Sequence, residues 1–287
     1  MKPAAADLNS FVAAEHYLFL LGLGLAVGAY GTLIGAGGGF VLMPVLLLLY
    51  PNQKPELLTS ISLAVVFFNA VSGSEAYALM KRIDYRSGLL FSLATIPGAV
   101  LGALNTSHVP RRTFDLIFGV LLLAAAAFIA FHPIARGNGA AAQAGRFRIS
   151  RRITDRHGIT YEYSFNYLAG VGLSLFVGYA SSFLGIGGGI IHVPALSYAL
   201  GFPVHIATAT SHFILAIMAL TGTLVHIATG TFTQGVHRTI GLAIGVVIGA
   251  QVGARFSERI RGRWIIRGLA LALGLVSIRI LFVALGG

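Results

Sequence analysis

GAYGTLIGAGGGFVLMPVL, residues 28–46, returns as GYASSFLGIGGGIIHVPAL at residues 178–196. The offset is a constant 150. Seven positions coincide: Gly28/Gly178, Gly35/Gly185, Gly37/Gly187, Gly38/Gly188, Gly39/Gly189, Pro44/Pro194 and Leu46/Leu196. Each copy sits inside a long apolar run, 17–50 or 167–199. Fainter echoes follow at nearly the same offset. Thr59 and Ser62 match Thr208 and Ser211, Gly73 matches Gly222, and Gly98, Gly102 and Ala103 match Gly245, Gly249 and Ala250. Agreement in length, order and spacing marks an internal repeat.

Composition says what kind of repeat this is. Of 287 residues, 56% are hydrophobic and only 10% charged, with a mean hydropathy of +0.83. A soluble domain carries roughly 25% charged residues to wet its surface. The remaining apolar runs, 57–80, 88–106, 113–131, 206–229, 240–254 and 264–285, are near the ~20 residues that cross a bilayer. They lack the alternation of a membrane barrel. The chain therefore reads as an all-α integral membrane protein of two repeats, each of four to five transmembrane or half helices. A polar lead covers 1–16, the first repeat 17–131, an Arg-rich segment 132–166 and the second repeat 167–287. The run 17–50 is too long for the core of a cleaved signal peptide. The absence of cysteine excludes disulfides and thiolate metal sites.

The net charge of +11 lies in short loops, where it orients helices in the membrane rather than binding nucleic acid. If each Gly-broken run crosses once, the repeats are parallel. Lys and Arg then divide eleven inside to eight outside. If each broken run folds back as a hairpin, the second repeat is inverted and the division becomes fourteen to five. The positive-inside rule prefers the inverted arrangement, with both termini outside and 132–166 in the cytoplasm.

Three consecutive glycines weaken a helix by roughly 1 kcal/mol each. Lipid cannot satisfy the freed backbone groups, so such breaks persist only where protein or a watery cavity covers them. Residues 40–50 and 190–199 read as half-helices whose N-termini face the breaks. A helix N-terminus offers unpaired amides and a partial positive charge, which suit an anion. Pro44 and Pro194 should loosen these half-helices. Gly98, Gly102, Gly245 and Gly249 are adequately explained by close helix packing. Paired breaks in two repeats fit a transporter's substrate site better than packing alone. A dinucleotide fingerprint fails, because Phe40 and Ile190 stand where its third glycine would be.

The pattern L-I-G-A-G-G-G-F…P and F-L-G-I-G-G-G-I…P, once per half, resembles the TauE/SafE family of sulfite exporters over 17–285. The resemblance implies transport of a small sulfur-containing anion, such as sulfite or an organosulfonate, across the bacterial inner membrane. It carries over to Gly35–Gly39 and Gly185–Gly189 with their prolines and no further.

Ionisable and polar groups within apolar runs are costly and often functional. We expect the anion to be held by Gly37, Gly38, Gly39, Gly187, Gly188 and Gly189, with Ser62, Asn69, Ser211, His212 and His192 as side-chain donors. His226, Glu75 and Arg279 lie near run ends and read as wet or snorkelling. No paired carboxylates, zinc-binding His pair or nucleophile elbow is present, so binding is favoured over catalysis. The reading is of a secondary transporter working by alternating access; a passive anion channel is the alternative. A small sulfur-containing anion, the lipid bilayer and protons as coupling ion are the partners it brings in. A homodimer is compatible with it, and no cofactor, metal or nucleic acid is called for.

Overall fold

The computed structural model describes residues 4–131, 147–257 and 262–286. The first half contributes α1 (Ala4–Ile34), α2 (Gly39–Leu49), α3 (Pro55–Leu79), α4 (Tyr85–Thr106) and α5 (Arg111–Phe131). A two-stranded antiparallel hairpin follows, β1 (Arg148–Thr154) and β2 (Thr160–Asn166). The second half contributes α6 (Tyr167–Leu184), α7 (Gly189–Pro194), which continues as a π-turn over Ala195–Ala199, then α8 (Val204–Ala228), α9 (Val236–Ser257) and α10 (Gly262–Gly286). Among the described residues, six helical stretches are long and apolar enough to cross a membrane. The segment 1–16, expected as a polar lead, is helical from Ala4 and continuous with α1. Nothing in its composition breaks the helix, so it propagates outward from the apolar run.

Small residues decide which helices touch. A Cβ on Gly24 or Gly28 would lie within 2.6 Å of the carbonyl oxygen of Leu242 or Val246. One on Gly245, Gly249 or Gly253 would strike the carbonyls of Leu21, Leu25 or Ala29. These contacts advance together, so α1 and α9 run parallel at backbone contact. Gly98 and Gly102 do the same for α4 against α6, meeting the carbonyls of Leu175 and Tyr179. The packing role expected for Gly98, Gly102, Gly245 and Gly249 is thus what the structure has.

Central α3 and α8 run antiparallel: Gly73 lies against His212 and Gly222 against Leu63. Helices α5 and α10 are also antiparallel, through Gly119 on Leu281 and Gly274 near Ala126. At one end of the bundle, 51–56 shares walls with 106–111 and with 229–234. There Arg111 donates to the carbonyls of Leu47 (2.8 Å) and Gln53 (2.9 Å), closing the C-terminus of α2.

The hairpin corrects the expectation of a plain basic loop. Residues 132–146, including Arg136 and Arg146, lie outside the described residues. The rest, 147–166, folds onto the bundle. The amide of Arg156 donates to Met80 (3.1 Å), Tyr163 Oη donates to Asp84 Oδ2 (2.8 Å), and Phe165 packs with Phe91 and Phe202. Alternation made this segment a strand pair: Ile149, Ile153, Tyr161, Tyr163 and Phe165 are packed against the helices, with Arg151 among them reaching Asp84 and Ser87, while Arg148, Ser150, Arg152 and Glu162 face outward.

Asp155 anchors the hairpin's turn. Burial raises its carboxyl pKa, but the amides of Ile159 and His157 and the guanidinium of Arg82 (3.3 Å) outweigh that and hold it below the ordinary value of 3.8. A depressed carboxylate stabilises fully above its unfolded pKa and loses the contribution as pH falls through its folded one. The hairpin should therefore stay docked at neutral pH and loosen only in acid below about pH 4. Asp155→Asn leaves Arg82 buried without its partner, which should cost about 3 kcal/mol. Faster proteolysis within 147–166 at neutral pH would register it; an unchanged cleavage rate would contradict this account.

Candidate functional site

Both Gly-rich breaks form as the sequence suggests. Helix α1 ends at Ile34 and α2 begins at Gly39; α6 ends at Leu184 and α7 begins at Gly189. Gly35, Gly37 and Gly38 take φ of +83°, +72° and +77°, and Gly185, Gly187 and Gly188 take +68°, +78° and +69°. Any other residue would add roughly 1–2 kcal/mol of backbone strain at each. Gly39 and Gly189 have ordinary φ; they are glycine for space. A Cβ on Gly189 would sit 2.4 Å from the Gly35 carbonyl oxygen, and one on Gly39 would sit 2.6 Å from that of Ile186. The two breaks are therefore in direct backbone contact, and both are buried.

Pro194 acts as expected. It withholds an amide, and the helix widens at once into the π-turn 195–199. Pro44 lies in α2 without such a change. The amides of Gly38, Gly39 and Phe40, and of Gly187, Gly188 and Ile190, find no backbone acceptor among the described residues. These are the donors that a helix start leaves over.

Each break is braced by the other half. Ser62 Oγ on α3 donates to the Gly185 carbonyl (2.6 Å), and Ser211 Oγ on α8 donates to the Gly35 carbonyl (3.3 Å). Thr59 covers Gly185 and Thr208 covers Gly35. Residues equivalent by the repeat thus play equivalent parts. Ser62 and Ser211 are at the breaks, as expected, but their hydroxyl protons are committed to backbone carbonyls. Thr59 Oγ1 and Thr208 Oγ1 are buried without a hydrogen-bond partner.

Asn69 and His212 meet through a residue that sequence reasoning did not single out. Thr32 Oγ1 donates to Asn69 Oδ1 (3.1 Å) and lies 3.2 Å from His212 Nε2. Since Thr32 has spent its proton on Asn69, His212 must donate from Nε2. Tyr77 Oη donates to the Thr32 carbonyl (2.7 Å), and its ring meets His212 edge-on. Asn69 Nδ2 and His212 Nδ1 are left buried and unpartnered. A signal for Thr32 existed: the repeat places Ser182 at its equivalent, three residues before each break.

His192 is not part of this cluster. It is buried in α7 and meets Ser174 Oγ on α6 (3.2 Å). His226, expected to be wet, is buried in α8, on the inward side of a last turn whose Leu224 and Ile227 stay exposed. Glu75 is exposed, as expected. Among the described residues no group of three His, Asp or Glu could hold a metal. The centre offers neutral hydroxyl, amide and imidazole groups together with uncommitted backbone amides. It can bind and release a small polar solute.

Crossing helices with two touching breaks at a polar, buried centre define a polytopic membrane transporter. The chain belongs to the sulfite exporter TauE/SafE family, whose profile matches residues 20–280. It is 32% identical over 220 residues to the probable membrane transporter protein YunE of Bacillus subtilis, covering 75% of this chain and 79% of that one. A probable membrane transporter protein of Methanocaldococcus jannaschii is 26% identical over 226 residues, with 75% and 76% covered. One from Xylella fastidiosa is 26% identical over 211 residues, with 73% and 74% covered. No solved structure matches the chain significantly.

Proposed function

We propose that the protein is a secondary transporter that moves a small anion, sulfite or an organosulfonate, across the bacterial inner membrane by alternating access. The observation that carries this reading is the exchange of braces: each half's serine holds the other half's break, Ser62 on Gly185 and Ser211 on Gly35. Rocking one half against the other would break both contacts and open the buried centre. The uncommitted amides of the breaks, with Thr59, Thr208, Asn69 and His212, would then face the anion. Family membership supports a sulfur anion, and the neutral centre leaves the anion's charge to be met by amide dipoles.

The inverted arrangement belongs to the same proposal. Parallel α1/α9 and α4/α6 with antiparallel α3/α8 and α5/α10 support opposite directions for α1 and α6. This division of the loops also puts fourteen Lys and Arg on one side and five on the other. Cysteines introduced at Asn52 and Pro203 should label from opposite faces of the membrane; labelling from one face would sink the inversion.

Flux through proteoliposomes tests the function. Sulfite or a sulfonate should enter saturably and accumulate uphill when a gradient is imposed. Downhill, unsaturating flux would instead identify a channel. Thermal stabilisation of purified protein across a panel of sulfur anions should single out the substrate; a flat response across the panel would count against a sulfur anion.

A further inference from the structure

A second polar feature lies away from the breaks. Where α3 and α9 end beside the hairpin turn, a cavity of about 600 Å³ opens between them. Its walls include Leu79 and Met80 of α3, Gln251, Arg255 and Phe256 of α9, and Arg156 of the turn. Among the described residues no carboxylate lines it. Of the acids near its walls in sequence, Asp155 is buried and committed to Arg82 at 3.3 Å, Glu75 is exposed beside Ala76 without lining the cavity, and Glu258 lies outside the described residues. Arg255 makes no ion pair among the described residues. Arg156 donates its main-chain amide to Met80 (3.1 Å) and its Nε to His157 (3.3 Å), so the turn is pinned at the cavity rim.

The apolar side of the cavity is as informative as the charged one. Leu79 and Phe256 are large and well exposed, at 71% and 53%. Both belong to helices long enough to cross a membrane, and they flank the arginines where those helices end. Water-exposed walls of this kind gain nothing from a soluble ion but would lie against acyl chains. Two guanidiniums above two exposed apolar side chains, at the edge of the spanning segments, match an anionic amphiphile.

We propose that this cavity binds the phosphate headgroup of an anionic membrane lipid. Arg156 and Arg255 meet the phosphate, Gln251 Oε1 accepts from a headgroup hydroxyl, and Leu79 and Phe256 receive the upper acyl chains. The Gln251 amide already donates to Ser72 on α3 (2.8 Å to the carbonyl), so one wall is held in register. A lipid seated there touches α3 of the first half, the linking hairpin and α9 of the second half. It would fasten the halves at that end, a separate matter from substrate binding at the breaks.

The test uses the purified full chain, stripped of lipid in detergent, and native mass spectrometry. Phosphatidylglycerol should be retained in preference to phosphatidylcholine of the same chains. Arg156→Gln or Arg255→Gln should each weaken phosphatidylglycerol binding about fivefold, and the pair about 25-fold, with phosphatidylcholine unaffected. The lipid-free unfolding temperature should not move, since both side chains are exposed. Val252→Trp, which fills the cavity while keeping both arginines, should also lose the lipid. Equal binding of the two lipids, or full phosphatidylglycerol binding in the double variant or in Val252→Trp, overturns the proposal. So does stabilisation by inorganic phosphate alone as large as that by phosphatidylglycerol, because it would make the site one for a soluble anion.

Discussion

Gly189→Ala and Gly39→Ala should each cripple the protein with a single added methyl. The new carbon on Gly189 would stand 2.4 Å from the Gly35 carbonyl oxygen and 2.5 Å from Ala36 Cα. On Gly39 it would meet the carbonyl of Ile186 at 2.6 Å. These neighbours are backbone of the opposing break and cannot rotate away. Relief requires the two breaks to separate, which also pulls Ser62 and Ser211 off their carbonyls. Overpacking of this kind costs about 3 kcal/mol, and each carbonyl left buried without a donor adds about 1–3 kcal/mol. Unfolding temperature in detergent should fall steeply and flux should vanish. Gly172→Ala is the control: nothing lies within 4 Å of its Cβ, so neither measurement should move. Should Gly189→Ala behave like Gly172→Ala, the breaks are not in the contact described.

Gly188→Leu separates binding from scaffolding at the same place. Its Cβ meets the hydroxyl of Ser181 and the terminal methyl of Met218, at 2.9 and 3.1 Å. Both are ends of side chains that can move. The protein should survive in detergent with some loss of stability from the left-handed φ, while flux is lost because the side chain occupies the break. Loss of folding instead would mean that this glycine only packs.

The membrane class, the repeat and the positions of the breaks were legible because each leaves a local mark: apolar runs, a constant offset, glycine triplets. Helix partners were half legible. Gly98, Gly102, Gly245 and Gly249 announce close packing, but the identity of the facing helix depends on contacts far apart in the chain. The hairpin was missed because its alternation, Ile149, Ile153, Tyr161, Tyr163 and Phe165, is diluted by arginines that read as loop. At the site, Ser62 and Ser211 were found by the repeat, yet their bonds to Gly185 and Gly35 come from how the halves cross. Thr32 escaped because hydroxyls in apolar helices usually bond their own backbone. His192 was placed by sequence at the end of a break, but a helix turn aims it at Ser174 rather than at the centre.

The asymmetry of the centre gives the last prediction. The repeat equivalent of His212 is Leu63, and the two stand at matching places: His212 lies on Gly73 beside Thr32, and Leu63 lies on Gly222 beside Ser182. One side of the centre is therefore polar and the other apolar, so solute contacts differ between the two halves of the cycle. His212→Leu imposes the apolar version on both sides. Thr32 keeps its bond to Asn69 (3.1 Å), so the fold should hold. Transport should fall at least tenfold, the loss expected when the Nε2–H, released from Thr32 to the charged solute as the halves part, is removed. His212→Gln, which restores an N–H near Nε2, should recover part of it. If His212 also carries the coupling proton, both variants should flatten the pH profile of uptake, since neither side chain titrates near neutrality. An unchanged profile with reduced flux would keep His212 as a binding group and remove it as the proton carrier; unchanged flux would remove it from the site.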